Sequence, residues 1–245
     1  MRNLKITVEY DGTRYKGWQK QKEGVPTIQE KIENVLSKMT GEKVQVVGCG
    51  RTDSGVHAEN YIANFHTDCE YSVDAMLDYL YEYLPEDIVV KSMKDTSERF
   101  HARYNVKSKT YVYRINNNRF RNVFNRKFVY HTDEKLDLDQ MRKGAEYLIG
   151  THDFQSFTSL KTSSKPTVRN INYINVTEND GMVEIEVNGN SFLLNMVRII
   201  AGTLLEVSKG NLKPADVEKI LNEKRRSEAG PIAQAKGLCL KSLEY

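Results

Sequence analysis

The sequence has no apolar run long enough to span a membrane. Its opening residues, MRNLKITVEYDGT, lack the apolar core and small-residue cleavage site of a secretory leader. Cysteine is scarce. Cys49, Cys69 and Cys239 are odd in number and widely spaced, which excludes a disulfide framework and fits a reducing, cytoplasmic compartment. Those cysteines and His57 and His66 also lack the close spacing of a zinc site, so no metal centre is expected. The dinucleotide fingerprint is absent, as is the RNA-recognition-motif signature. The GRTDSG stretch has phosphate-loop glycine spacing, but Val56 and His57 stand where Lys and Ser or Thr would hold phosphate and magnesium. Ser54 and His57 have no readable third member for a triad.

Acid is missing where base is dense. Residues 99–127 carry Arg99, Arg103, Lys107, Lys109, Arg114, Arg119, Arg121, Arg126 and Lys127, with no Asp or Glu. Aromatic residues, among them Tyr104, Tyr111, Tyr113 and Phe120, are interleaved. A second basic group, Arg14, Lys16, Lys20 and Lys22, lies beside Tyr15 and Trp18. Cations screen phosphates and aromatic faces stack on bases, so the pattern points to a nucleic-acid partner despite a net charge of only +3. With 39% hydrophobic and 28% charged residues, the 245-residue chain is a soluble globular protein of one large domain or two modest ones.

The order of elements predicts two halves. Residues 4–10 alternate as a strand. Thr27 caps a helix, with Glu30 in the capping-box position and Ile28, Ile32, Val35, Leu36 and Met39 at helical spacing. Strands follow at 43–47 and 61–65, a helix starts at Ser72 or Asp74 and ends before Pro85, and a strand covers 88–93. The second half repeats β-α-β-β-α-β. It has strands at 110–116 and 128–130, a helix at 138–149, and a polar loop from Gly150 through Pro166. A hairpin at 168–187 turns at Asn179-Asp180-Gly181, a helix covers 192–207 and a shorter one 214–221, and residues 238–243 close as a strand. The expected architecture is α+β: two tandem ferredoxin-like halves, 1–105 and 106–245, sharing a largely antiparallel sheet with a central cleft.

Two stretches stand out chemically. Residues 48–58, GCGRTDSGVHA, place Arg51, Thr52, Asp53 and Ser54 between glycines on a loop joining two strands, where side chains are readily displayed. Asp and Ser also serve as ordinary turn formers. The expected helix at 192–207 is apolar nearly all round, yet carries Arg198 in its middle. A buried guanidinium needs an anion or a route to solvent, and Glu206 is two turns away. Asp53 is a candidate partner; another acid, or an arginine reaching to solvent, also satisfies the requirement. An aspartate held by arginine stays ionised and can act as a nucleophile.

GCGRTDSGVHA closely resembles the signature of the TruA family of tRNA pseudouridine synthases, usually GAGRTDAGVHA. Further stretches are similar to the same family in the same order: YDGTRYKGWQ (10–19), FHARYNVKSKTYVYRI (100–115), GTHDFQSF (150–157), TVRNI (167–171), FLLNMVRIIAGTL (192–204) and GPIAQAKGLCL (230–240). The resemblance implies a cofactor-free isomerisation of uridine to pseudouridine at tRNA positions 38, 39 and 40 by a homodimer. It implies Asp53 as nucleophile, Arg198 as its ion-pair partner, Tyr111 packed on the target base, and Arg51 guiding the flipped nucleotide. Thr52, Ser54 and His57 are then expected to hold the loop's shape. Cys49, Ser54, Tyr15, Leu194, Gln234 and Lys236 depart from the usual pattern, and none belongs to the proposed catalytic set. Two other readings of the residues are a non-catalytic RNA-binding protein and a carboxylate-dependent nucleoside hydrolase.

Overall fold

The structure is a computed structural model that describes residues 1–160 and 166–245. Residues 161–165 of the expected polar loop therefore lie outside the described residues. Five α-helices and ten strands are found among the described residues, and the strands pair almost entirely antiparallel, so the mixed α+β class holds. None of these helices is long and apolar enough to cross a membrane.

The chain divides into two compact units, Met1–Lys107 with Leu240–Tyr245, and Ser108–Cys239. The first unit follows β1 (Arg2–Tyr10), α1 (Ile28–Thr40), β2 (Val46–Gly48), β3 (His57–Thr67), α2 (Val73–Tyr83) and β4 (Ile88–Thr96). β1 lies between β3 and β4, antiparallel to both, and β2 pairs with β3, giving the order β4-β1-β3-β2. This is the split β-α-β arrangement that the element order predicts. α1 starts where expected because the Thr27 side chain accepts from the Glu30 N–H. It ends where Gly41 takes a left-handed conformation (φ 73°). Ile28, Ile32 and Leu36, one turn apart, are fully buried. The C-terminal residues return to this unit: Lys107 N–H donates to Glu244 O (2.8 Å), and the Tyr245 hydroxyl donates to Ala102 O (2.8 Å).

The second unit contains β5 (Ser108–Asn116), β6 (Tyr130–His131), α3 (Leu138–Glu146), β7 (Gly150–Asp153), β8 (Val168–Asn179), β9 (Met182–Gly189), α4 (Met196–Ser208) and α5 (Asp216–Glu223). β10 (Leu238–Glu244) closes the chain. The strand order within the unit is β5-β9-β8-β7, with β6 parallel on β5. The β8–β9 hairpin turns through Asp180 and Gly181, both at positive φ (50° and 73°), as a two-residue hairpin loop of primed type requires.

Two expectations in this unit change. The start of the supposed polar loop, GTHD at 150–153, is strand β7, paired from Gly150↔Ile171 to Asp153↔Val168. Its polar composition hides it, because the edge position that makes it a strand is supplied by β8. The apolar stretch at 192–207 is helical only from Met196. Asn195 sits in the left-handed region (φ 60°) and breaks the helix there. Arg198 is consequently in the first turn rather than the middle, while eleven other residues of α4 are buried as its composition predicts.

The Thr27 cap gives a direct stability test. Thr27→Ala is expected to lower unfolding free energy by about 1 kcal/mol in urea denaturation, with Thr27→Ser recovering most of it. An unchanged midpoint for the alanine variant would remove the cap from the account of α1.

Candidate active site

Three aromatic residues form the floor of the 48–58 loop. The rings of Trp18 and Tyr61 stack at 3.8 Å, and Tyr10 packs beside both at 6.2 and 5.8 Å. All three are buried, and the two tyrosine hydroxyls face the loop. Tyr61 donates to the Gly50 carbonyl, and Tyr10 shares a 2.9 Å hydrogen bond with the Thr52 hydroxyl. The floor explains Gly48: a Cβ there would fall 2.1 Å from the Tyr61 oxygen and 2.6 Å from Trp18 Nε1.

Residues 11–18 close over the other side. Trp18 N–H donates to Thr52 O (3.4 Å), and the Gly55 N–H and Ser54 hydroxyl both donate to Tyr15 O (3.2 Å each). Gly12 N–H donates to Nδ1 of buried His57 (3.0 Å), which also lies 3.2 Å from the Asp11 carboxylate. The approach is too close for larger residues. A Cβ on Gly17, at φ 90°, would lie 2.4 Å from Thr52 O, and one on Gly12 would lie 2.0 Å from Val56 O. Thr52, Ser54 and His57 thus hold the loop's shape, as expected. These bonds fall on both sides of Asp53, which is half-buried, while Arg51 is exposed.

The overlying segment is itself anchored by Asp87, a residue that nothing in the sequence singled out. Its carboxylate accepts from the Tyr15 hydroxyl (2.6 Å) and from Arg14 Nε (2.8 Å), and its carbonyl accepts from Asp11 N–H (3.0 Å). Burial, together with the Asp87 charge, pushes the Tyr15 phenol well above its ordinary value, so it remains a donor. No local signal marks Asp87, because Arg14 and Tyr15 lie more than seventy positions away.

Beside Gly48, Gly50 and Arg51 runs a groove of about 1040 Å³. Lys20, Lys43, Arg51 and Arg103 line it together with Glu33 and Glu42, Lys20 lying 3.4 Å from Glu33, and His101 and Tyr104 stack at 4.1 Å. The basic group near Trp18 and the start of the basic window, eighty residues apart in sequence, therefore meet on one surface next to the loop. Among the described residues, no three His, Cys, Asp or Glu side chains are grouped to hold a metal, and the three cysteines form no disulfide.

In the second unit, Tyr111 lies on β5 opposite Val187, nearly buried, with its ring edge-on to Phe192 at 5.3 Å. Arg198 is half-buried. Its Nε donates to Ala233 O (2.8 Å) and a terminal nitrogen donates to Asn195 Oδ1 (2.9 Å). The segment bearing Ala233 reaches α4 because Gly202 is bare: a Cβ there would sit 1.8 Å from Pro231 O. Two neutral acceptors thus set the plane of the guanidinium. Its charge bears on the buried Tyr113 phenol, which burial raises and Arg198 opposes. A cation in the first turn of a helix faces the positive end of the helix dipole, so a nearby anion is more strongly favoured there than at mid-helix. Of the residues singled out from sequence, Arg51 and Asp53 share the loop, and Tyr111 and Arg198 sit on packed elements of the second unit, β5 and α4.

A family model described as tRNA pseudouridine synthase matches residues 6–105 and 145–245. The chain is 73% identical over 245 residues to tRNA pseudouridine synthase A 1 of Clostridium tetani, covering all of both chains. It is 44% identical, again over the whole of both chains, to tRNA pseudouridine synthase A 2 of Bacillus cereus and to tRNA pseudouridine synthase A of Clostridium acetobutylicum. Matches of this extent include the glycine-hinged loop, the aromatic floor beneath it and the helix bearing Arg198. On this footing the chain belongs to the tRNA pseudouridine synthase family, a family of isomerases.

Proposed function

We propose that the protein converts uridine to pseudouridine in the anticodon stem-loop of tRNA, at positions 38, 39 and 40, with Asp53 as the nucleophile and no cofactor. The observation that carries this reading is the clamp on the loop. Hydrogen bonds to Thr52, Ser54 and Gly55 fix the backbone on both sides of Asp53, so its carboxylate is presented from a rigid base. Rigid placement of a reacting group is worth several powers of ten in rate.

The reaction breaks the bond between uracil N1 and ribose C1′ and forms one between C5 and C1′. C5 gives up its proton and N1 gains one, so the product is an isomer. The Asp53 carboxylate attacks either the uracil ring or C1′, holding one fragment while the base turns. Arg198 is its ion-pair partner and keeps the carboxylate ionised in a poorly solvated site. The target base must leave its stack to be reached. Tyr111, held edge-on by Phe192, offers it an aromatic face, and Arg51 guides the flipped nucleotide. An ordinary phenol has a pKa of about 10, so a role for Tyr111 in moving the C5 proton needs help from its surroundings. The enzyme works in the cytoplasm as a homodimer, with one tRNA contacting both subunits. The cations lining the groove beside Arg51 suit the phosphates flanking the target.

The reading is tested by incubating the protein with unmodified tRNA and mapping pseudouridine at nucleotide resolution. Asp53→Asn is expected to abolish turnover with tRNA affinity held within a few fold. Retained turnover would remove Asp53 from its role, and no new pseudouridine with wild-type protein would refute the reading as a whole. Arg198→Met is expected to lower turnover about a hundredfold, the cost of a misplaced reacting group, with little loss of fold because Met suits an apolar helix. Gly17→Ala is expected to lower the turnover number more than tRNA affinity, because its Cβ would push on Thr52 O beside Asp53. Unchanged turnover in either variant would show that the feature is dispensable.

A further inference from the structure

The family model leaves residues 106–144 unmatched, and within them residues 117–129 join β5 to β6. This loop is closed at its base. His131 Nε2 lies 3.0 Å from Asn118 O, and Asn117 Nδ2 donates to the carbonyls of Thr132 (2.9 Å) and Glu134 (2.8 Å). Its tip is shaped by Asn122, whose side-chain oxygen accepts from Phe124 N–H (2.9 Å), and by a Phe128 N–H to Asn125 O bond (2.8 Å). The ordered tip turns large apolar side chains outward. Phe120 is 73% exposed, Val123 64% and Phe124 94%. Exposed apolar side chains clustered in this way mark interaction sites.

The rim decides the partner. Arg119, Arg121, Arg126 and Lys127 are exposed around these aromatics, and Arg119 lies over the Phe120 ring at 5.0 Å. Residues 117–129 contain no acid. A second copy applying the same patch to this one would bring like charges together, whereas cations with outward aromatic faces suit phosphates and unstacked bases.

We propose that this β5–β6 loop is an RNA-contacting arm, in which Phe120 and Phe124 stack on unpaired nucleotides of the tRNA while the surrounding arginines and Lys127 meet its phosphates. It rests on tRNA being the substrate. The arm adds a contact in a segment that the family model leaves unmatched, reading exposed bases by stacking rather than by hydrogen bonding.

The test uses the full chain with both phenylalanines changed to serine (Phe120→Ser with Phe124→Ser). The dissociation constant for unmodified tRNA, measured by filter binding, is expected to rise about tenfold or more, the size of one lost base stack, with melting temperature and oligomeric mass unchanged. An unchanged affinity overturns the proposal. A drop in oligomeric mass accompanying the loss assigns the loop to a contact between copies and overturns it as well. A second variant, Phe124→Trp, adds an exposed indole to a chain whose single native tryptophan, Trp18, is buried. Its fluorescence is expected to be quenched on adding tRNA, and an unaltered signal again overturns the proposal. Pseudouridine formation by wild-type protein is measured in parallel. Binding without modification fails the catalytic reading alone, while the affinity difference still decides the role of the arm.

Discussion

The contact between residues 11–18 and the 52–57 loop is the constraint on which the shape of the loop bearing Asp53 depends. Two of its hydrogen bonds join backbone groups, Trp18 N–H to Thr52 O and Gly55 N–H to Tyr15 O, so the two segments must approach within the reach of an N–H and a carbonyl. Gly12 and Gly17 allow that approach, and Asp87 holds the approaching segment from behind through Arg14 and Tyr15. Beneath, the Tyr10, Trp18 and Tyr61 rings supply apolar burial and point their polar edges at the loop. The loop is thus fixed from above and below, and the half-buried Asp53 lies between its fixed points. Every residue named in the clamp lies within residues 1–107, in the first unit.

The second unit solves a different problem, the placement of a charge in apolar surroundings. α4 is buried along nearly its whole length, and Arg198 enters it only at the first turn. The left-handed Asn195 starts the helix at that point and also accepts a hydrogen bond from Arg198, so one residue both ends the preceding segment and orients the guanidinium. Gly202 lets the 230–233 segment lie against α4, which brings the Ala233 carbonyl to Nε. Charge elsewhere is spread by the same economy. The acid-free window divides between a groove beside the loop, where four cations face Glu33 and Glu42, and an outward-facing loop tip that carries no acid.

Much of the fold was legible because its signals are local. Thr27 with Glu30, the spacing of Ile28, Ile32 and Leu36, and Asp180-Gly181 act within a few residues, and each produced the element expected of it. The glycine-hinged loop was legible for the same reason, and the chain-wide family motifs led to the family that the matched relatives share. Strand β7 was not legible, since a short polar segment becomes a strand only when a neighbour offers it an edge. The start of α4 was missed because the apolar pattern runs on through residues that a single left-handed Asn195 excludes from the helix.

The sequence alone determined the element order of the first unit, the apolar character of α4, the separation of base from acid, and the identity of the loop that carries Asp53. Those follow from spacing and composition, which a chain carries before it folds. Tertiary structure alone decided that Asp87 anchors Tyr15 across seventy-two positions, that Lys20 and Arg103 line one groove, and that Leu240–Tyr245 belong with the first unit. It also decided that Phe120 and Phe124 face outward on a closed loop rather than inward. Contacts between distant residues exist only once strands have paired, and no local pattern records them.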